Sequence, residues 1–150
     1  MKNTLLEEFS QYMGLDDFKL DENNETLLVF DEKLPVLLHF DFEKALLTLD
    51  ADLGRPGQQN KIQLMETLME AANMWRELDI WFSIQPDSKA IHVHRRAVLG
   101  SFPEFQQTLE SFVEVANHWL RLINLDPSAV SEKAAAEKIR NPGPMSGIPV

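Results

Sequence analysis

Two histidines separated by a single residue are the side chains of this sequence most suited to chemistry. His92 and His94 lie in the segment AIHVHRR, where apolar and polar residues alternate as they do in a β-strand. Side chains two positions apart on a strand point to the same face, so both imidazoles could contribute to one Zn²⁺ site. Such a site needs a third ligand, for which His39 and Asp79 are candidates if their segments neighbour this strand. The pattern equally fits the polar face of a half-buried strand, and we predict that no metal is bound.

Other patterns typical of enzymes are missing from the sequence. It has no cysteine, and therefore no thiol nucleophile or thiolate metal site. It also has no G-x-S-x-G motif and no glycine-rich phosphate-binding loop. We predict a protein without catalytic activity and without a cofactor. The alternative is a small metal- or ligand-dependent enzyme built around His39, His92 and His94.

The charge of the chain limits its partners. The net charge is -10, and residues 1–55 hold 13 of the 24 acidic residues but five of the 14 basic ones. An acidic surface repels phosphate backbones, which argues against nucleic acid and favours basic or amphipathic protein partners. No apolar run approaches the roughly 18 residues of a membrane span, and no signal-peptide pattern is present. We therefore predict a cytoplasmic protein that does not insert into membranes.

The periodicity of apolar residues predicts an α+β fold in a single domain at 1–125, followed by a C-terminal extension at 126–150 that forms a short helix and then a mobile tail. Short polar links between the first three strands indicate an antiparallel meander, and hence a twisted antiparallel sheet. Thr4-x-x-Glu7 and Ser101-x-x-Glu104 resemble capping boxes at helix starts. The predicted elements are a helix at about 4–13, strands at 26–30, 34–42 and 45–53, a helix at about 61–76, strands at 78–85 and 90–95, and a helix from 102 to about 124.

The meander contains more apolar residues than one core requires. Leu37 lies on the face opposite the apolar, core-forming side of its strand. In the preceding strand one of two apolar pairs, Leu27 with Val29 or Leu28 with Phe30, must also point away from the core. A sheet with one solvated face should alternate cleanly between apolar and polar residues. Either helices cover both faces of the sheet, or one face is a binding surface.

Trp81 raises a similar question, because its neighbours on the same face of the predicted strand are Asp79 and Ser83. A contact within the chain would explain it. A subunit interface would explain it as well, since tryptophan is enriched at such interfaces. Together with the surplus apolar residues of the middle helix, Trp81 predicts a homodimer.

Three short motifs and the order of elements carry a family resemblance. The motifs are LDADLG at 49–54, LMEAANMW at 68–75 and FVEVANHWLRLI at 112–123. In a small acidic chain without cysteine, they make the sequence similar over about residues 4–124 to the type III secretion chaperones of the Tir-chaperone family, each of which serves one or a few effectors. The extension beyond residue 126 goes past the usual end of that family.

The resemblance implies a non-catalytic homodimer that binds the N-terminal segment of a secreted effector and keeps it soluble, locally unfolded and competent for secretion. It also leaves the secretion ATPase as a further partner. A regulatory binding domain of the same fold, with no role in secretion, stays open as another alternative. The implied dimer residues are Met65, Met69, Ile80 and Trp81. The implied effector-binding residues are Leu5, Phe9, Tyr12, Leu27, Val29, Leu37 and Leu46.

Overall fold

The computed structural model describes residues 2–15 and 18–124, so the predicted extension at 126–150 lies outside the described residues. Within that part of the chain the order of helices and strands is the predicted one. Two short 3₁₀ turns, at 58–60 and 72–74, flank the middle helix. The elements are α1 (Lys2–Met13), β1 (Glu25–Phe30), β2 (Leu34–Asp41), β3 (Leu46–Asp52), α2 (Lys61–Ala71), α3 (Trp75–Leu78), β4 (Ile80–Ile84), β5 (Ile91–Val98) and α4 (Phe102–Ile123).

The five strands form one antiparallel sheet in the order β1-β2-β3-β5-β4. Strands β1, β2 and β3 follow one another as the predicted meander. The β4–β5 hairpin then joins the sheet through β5, which pairs with β3. This arrangement leaves β1 and β4 at the two edges. The predicted α+β class with an antiparallel sheet is confirmed.

Helices α1 and α4 pack against one face of the sheet, called here the helical face. Side chains of β2 and β3 alternate strictly between buried and half-buried positions, as expected for strands with one face in the core. The opposite face, called here the outer face, carries Leu27, Leu37, Asp50, His94 and Trp81. Helix α4 supplies the largest helical share of the core, with buried Phe105, Leu109, Phe112, Val115, Ala116, Trp119 and Ile123.

Helix α1 ends where the sequence predicts but begins earlier. Gly14 has a φ of +68°, a left-handed conformation that glycine adopts without steric cost. The N–H of Leu15 donates to the carbonyl oxygen of Ser10 at 2.9 Å, which closes the helix in the manner of a glycine C-cap. The helix starts at Lys2, so Thr4 lies inside it and is not the predicted N-cap.

The segment between α2 and β4 departs from the prediction. A 3₁₀ turn interrupts the helix after Ala71, and helical structure then continues to Leu78. The predicted strand start at Leu78 was therefore wrong, and β4 begins at Ile80. The physical reason is Asp79, whose φ of +53° is incompatible with an extended strand and separates helix from strand.

Helix α4 begins at the predicted residue, Phe102. Ser101 occupies the N-cap position with the expected extended backbone, although its side chain makes no capping hydrogen bond. The capping-box pattern thus predicted the start of the helix correctly, but the side-chain hydrogen bond that such a box implies is not made.

Candidate functional site

The outer face of the sheet carries a cluster of polar side chains around the two histidines. Alternation along β5 places His92 and His94 on this face, as the sequence predicts. Pairing of β3 with β5 sets Asp50 opposite His94 and Asp52 opposite His92. Neither His39 nor Asp79, the ligands considered from the sequence, takes the place next to them.

Asp50 is the centre of the cluster because its carboxylate contacts both imidazoles. The Nδ1 of His92 lies 2.6 Å from one carboxylate oxygen of Asp50, which is hydrogen-bond distance. The Nδ1 of His94 lies 3.5 Å from the other oxygen. The Nε2 of His94 is 2.6 Å from the hydroxyl oxygen of Ser83 on β4. These contacts link three strands through side chains alone.

Trp81 completes the cluster at the edge of the sheet. Its indole is stacked on the imidazole of His94, with ring centroids 5.3 Å apart and an angle of 19° between the planes. The His94 side chain is 13% exposed, whereas Trp81 remains 40% exposed. The contact with His94 therefore explains part of the burial of Trp81, and the exposed part of the indole is available to a partner.

Burial lowers the pKa of His94, and the positive charge that His92 can carry lowers it further, while the negative charge of Asp50 acts in the opposite direction. The net effect favours the neutral imidazole at neutral pH. A neutral imidazole has one N–H donor and one acceptor nitrogen. His94 can therefore donate to one of its two neighbours, Ser83 and Asp50, and not to both at once.

We expect acid to destabilise the fold through His94. Its folded-state pKa lies below the ordinary value of 6.5, so the unfolded chain binds more protons in the intervening range. The free energy of unfolding should therefore decrease as the pH falls below about 6.5. Urea unfolding at fixed protein concentration measures this change. The His94→Gln variant should show a smaller pH dependence, and the half-exposed His39 on β2 offers a matched control in His39→Gln. An equal pH dependence in His94→Gln would contradict the assignment.

The order Ser83–His94–Asp50 is that of a serine nucleophile with its base and orienting acid. A catalytic serine usually stands on a sharp turn that exposes its hydroxyl beside donors for an oxyanion. Ser83 instead lies in the middle of a paired strand, and Asp50 makes its shorter contact to His92 rather than to His94. The geometry favours a structural cluster over a nucleophilic site.

Residues 2–15 and 18–124 contain no assembled set of metal ligands. No group of three or more histidine, aspartate or glutamate side chains there is arranged to hold a metal ion. His39 lies on β2 and faces Glu25 at 3.7 Å, and β3 separates it from β5. The structure therefore does not bring together the three histidines on which the enzyme alternative depends.

The outer face also carries an apolar patch at the opposite edge of the sheet. Leu27 and Val29 of β1 are 62% and 58% exposed. They pair across the strands with Leu37 and Pro35 of β2. These four residues, Leu27, Val29, Pro35 and Leu37, form what we call the apolar edge patch. Of the two pairs left open by the sequence, Leu27 with Val29 is the one that points away from the core.

The seven residues implied for effector binding fall into three locations. Leu5 and Phe9 are buried in the core of the chain itself. Tyr12 lies on the helical side, where its hydroxyl donates to a carboxylate oxygen of Glu110 at 2.6 Å. Leu27, Val29, Leu37 and Leu46 lie on the outer face. The helix and the meander thus do not form one continuous groove from these residues.

The four residues implied for the dimer interface divide similarly. Ile80 is buried in the core, and Met65 is partly buried against it. Met69 is 74% exposed, and Trp81 is half-exposed. Ile62, exposed on α2 seven residues before Met69, was not among the residues implied for the dimer interface. The seven-residue spacing on one helix face was the signal that could have identified it.

The model of the Tir chaperone protein (CesT) family matches residues 4–120, which confirms the predicted resemblance. A curated relative, the transcriptional anti-antiactivator ExsC of Pseudomonas aeruginosa, is 24% identical over 139 residues, or 91% of this chain and 95% of that protein. No helix in the part of the chain that the structure describes is long and apolar enough to cross a membrane.

Solved structures share the fold. The crystal structure of the ExsC–ExsE complex matches with a TM-score of 0.70 and 26% identity, over 81% of this chain and 92% of that chain. The structure of the HopA1–SchA chaperone–effector complex matches with a TM-score of 0.64 over 80% of this chain and 93% of that chain. At 16% identity, this second likeness concerns the fold alone.

Proposed function

Because the chain belongs to the Tir chaperone protein (CesT) family, we propose that it is a type III secretion chaperone. It binds the N-terminal segment of a secreted effector and keeps that segment soluble and competent for secretion. The observation that carries the proposal is the apolar edge patch, in which Leu27 and Val29 stay exposed on an edge strand. Chaperones and effectors occur together in solved structures of this fold, as the HopA1–SchA complex illustrates.

The edge position of β1 gives the effector segment a physical means of binding. In the described sheet β1 pairs with β2 on one side only. On its other side the backbone N–H and C=O of Glu25 already bond Asp21, so the backbone groups after Glu25 are the ones that can take the hydrogen bonds of an added strand. Alternate side chains of that added strand would then extend the apolar edge patch. Backbone pairing supplies affinity that tolerates many sequences, and the patch supplies selectivity.

Charge adds a preference for basic partners. Asp50 is the cross-strand neighbour of Leu37, so acidic and apolar side chains adjoin on the outer face. Residues 1–55 as a whole are strongly acidic. Lys and Arg residues flanking the apolar positions of the effector should therefore speed association, and this effect should weaken as salt is added.

Co-expression tests the proposed function. Candidate secreted proteins from the same genome are expressed with and without the chain, and soluble complexes are isolated through a tag on the chain. The proposal expects at least one candidate to gain solubility and to co-purify through its N-terminal region. Candidates that neither co-purify nor gain solubility would remove the main support for a chaperone.

We also propose that the chaperone is a homodimer that uses the exposed apolar residues of α2 together with Trp81. Light scattering at micromolar concentration should give about twice the chain mass of 17.2 kDa. Met69→Glu should favour the monomer, because an unpaired charge buried at the interface costs about 3 kcal/mol or more. Gln63→Glu, which adds the same charge at an exposed position of α2, is the matched control and should stay dimeric. A mass near that of one chain for the unmodified protein would contradict the dimer.

A regulatory role is the second candidate, and one observation favours it. The curated relative is a transcriptional anti-antiactivator, and the solved ExsC–ExsE complex is a neighbour at 26% identity. In this reading the same surface binds either a secreted protein or a regulator, and competition between the two links secretion to transcription. Deletion of the gene should then change transcription of secretion genes even when every effector is present. A role limited to chaperoning predicts no such change.

The proposal includes a cytoplasmic location, no catalytic activity and no cofactor. It also includes the secretion ATPase as a further partner, which receives the chaperone with its bound effector. The support for a non-enzymatic role is the family itself, together with the position of Ser83 in the middle of a paired strand.

A further inference from the structure

The polar cluster adjoins the surface through which the chain is proposed to dimerise. Trp81 is stacked on His94, and His94 shares Asp50 with His92. The two imidazoles are themselves roughly parallel, with centroids 6.1 Å apart. A single carboxylate therefore faces two groups that can both become positively charged.

The charged and titratable groups around His94 come from several elements. Strand β3 contributes Asp50 and also Asp52, which lies 3.9 Å from the Nε2 of His92. Strand β5 contributes His92 and the exposed Arg96, which pairs with Thr48 on β3. Strand β4 contributes only the uncharged Trp81 and Ser83 on this face. Helices α1 and α4 lie on the other face of the sheet.

We propose that protonation of the His92–Asp50–His94 cluster weakens self-association through Trp81, so that dimer formation is controlled by pH. The inference rests on the proposed homodimer and adds its regulation. The occupant of the surface is a second copy of the chain. Charge supports this choice, because the face that carries Trp81 holds the acidic Asp50 and Asp52 together with the basic Arg96, so each copy presents both signs of charge to the other.

The physical reason is desolvation. A second copy that covers Trp81 also removes water from the imidazole stacked on it, and a charged imidazole loses more solvation free energy than a neutral one. His94 is already held toward its neutral form by burial, and Asp50 is shared with His92 and can compensate only part of a second positive charge. Dimer formation therefore favours the neutral form of His94. At any pH at which His94 of the monomer is protonated, dimer formation releases protons.

The dissociation constant of the dimer as a function of pH tests the inference. Sedimentation velocity over the range from about pH 7.5 to about pH 5.5 should give at least about a tenfold increase in Kd. His94→Gln should still form a dimer at the upper pH and should lose most of this dependence. His39→Gln removes a histidine from the same face of the sheet two strands away and should keep it. Circular dichroism at each pH restricts the comparison to folded protein.

Two different failures can be told apart. If the unmodified chain is monomeric at about pH 7.5, the proposed homodimer is wrong and the inference falls with it. If the chain is a dimer whose Kd changes by less than about twofold over the folded range, or whose pH dependence persists in His94→Gln, the dimer stands and its control by the cluster is wrong.

Discussion

Replacing Phe9 by alanine should lower the free energy of unfolding by about 3–5 kcal/mol, the cost of removing a fully buried aromatic side chain. Phe9 has no exposed surface and packs edge-to-face against Phe18 and Phe105, with centroids 4.9 and 5.0 Å away. Together with Leu5, it fixes α1 to the core. Because small domains have a total stability of about 5–15 kcal/mol, this variant should be close to unfolding at physiological temperature.

Urea unfolding followed by circular dichroism measures the effect. Tyr12→Phe is the matched control on the same helix, since it removes only the hydroxyl that donates to Glu110 and keeps the ring against Phe102. Its expected cost is below about 1 kcal/mol, because the hydrogen bond is exposed. A loss of less than about 1 kcal/mol for Phe9→Ala would show that α1 is not part of the core. The same burial means that Phe9→Asp would unfold the protein and could not test effector binding.

The double variant Leu27→Asp/Val29→Asp should weaken effector binding by more than about a hundredfold. Each side chain is exposed in the isolated chain, so its burial by the effector can contribute about 1.5–3 kcal/mol, and the two together exceed the 2.8 kcal/mol or so that corresponds to a hundredfold change in Kd. The fold should tolerate both changes because neither side chain is buried. Isothermal titration of the purified chaperone with the effector segment measures the loss.

The control for the double variant is Ile84→Asp, which places a carboxylate at a half-exposed position on β4, at the other edge of the sheet. It should bind the effector segment with the affinity of the unmodified chain. Circular dichroism should be unchanged in both variants. Equal affinity of the double variant and the unmodified chain would exclude the apolar edge patch as the binding surface.

The sequence predicts the strands of the meander and helix α4 closely, because each carries its own period. In β2 every second residue is buried, and in α4 the buried residues recur at helical spacing. The start of β4 was predicted too early. Leu78 fits the apolar alternation of the strand, but it belongs to the helical turn before it. Only the backbone at Asp79, with its positive φ, separates the two elements.

The two histidines were correctly placed on one face, but their partner could not be predicted. Asp50 and His92 are 42 residues apart in the sequence. They meet because β5 pairs with β3 as well as with its hairpin partner β4. Alternation fixes the face of a side chain, whereas its cross-strand neighbour depends on strand order and register. A pattern within one strand contains neither.

Burial was the other property that the sequence left open. Leu5, Phe9 and Ile80 are apolar residues on periodic faces, as are Leu27 and Met69, yet the first three are buried in the core and the last two are exposed. Periodicity identifies an apolar face, while the elements that cover it are set by tertiary packing. The apolar edge patch is recognisable only once β1 is known to lie at an edge with Leu27 paired to Leu37.

The proposed function has an extended effector segment add to β1 over the apolar edge patch. Amide hydrogen exchange of the chaperone, alone and bound to the effector segment, tests this strand addition. The amides of β1 should gain the strongest protection on binding, and those of the opposite edge strand β4 should change little. The bound segment should be protected only where it pairs with β1. Protection confined to other elements, with β1 unchanged, would exclude strand addition at β1.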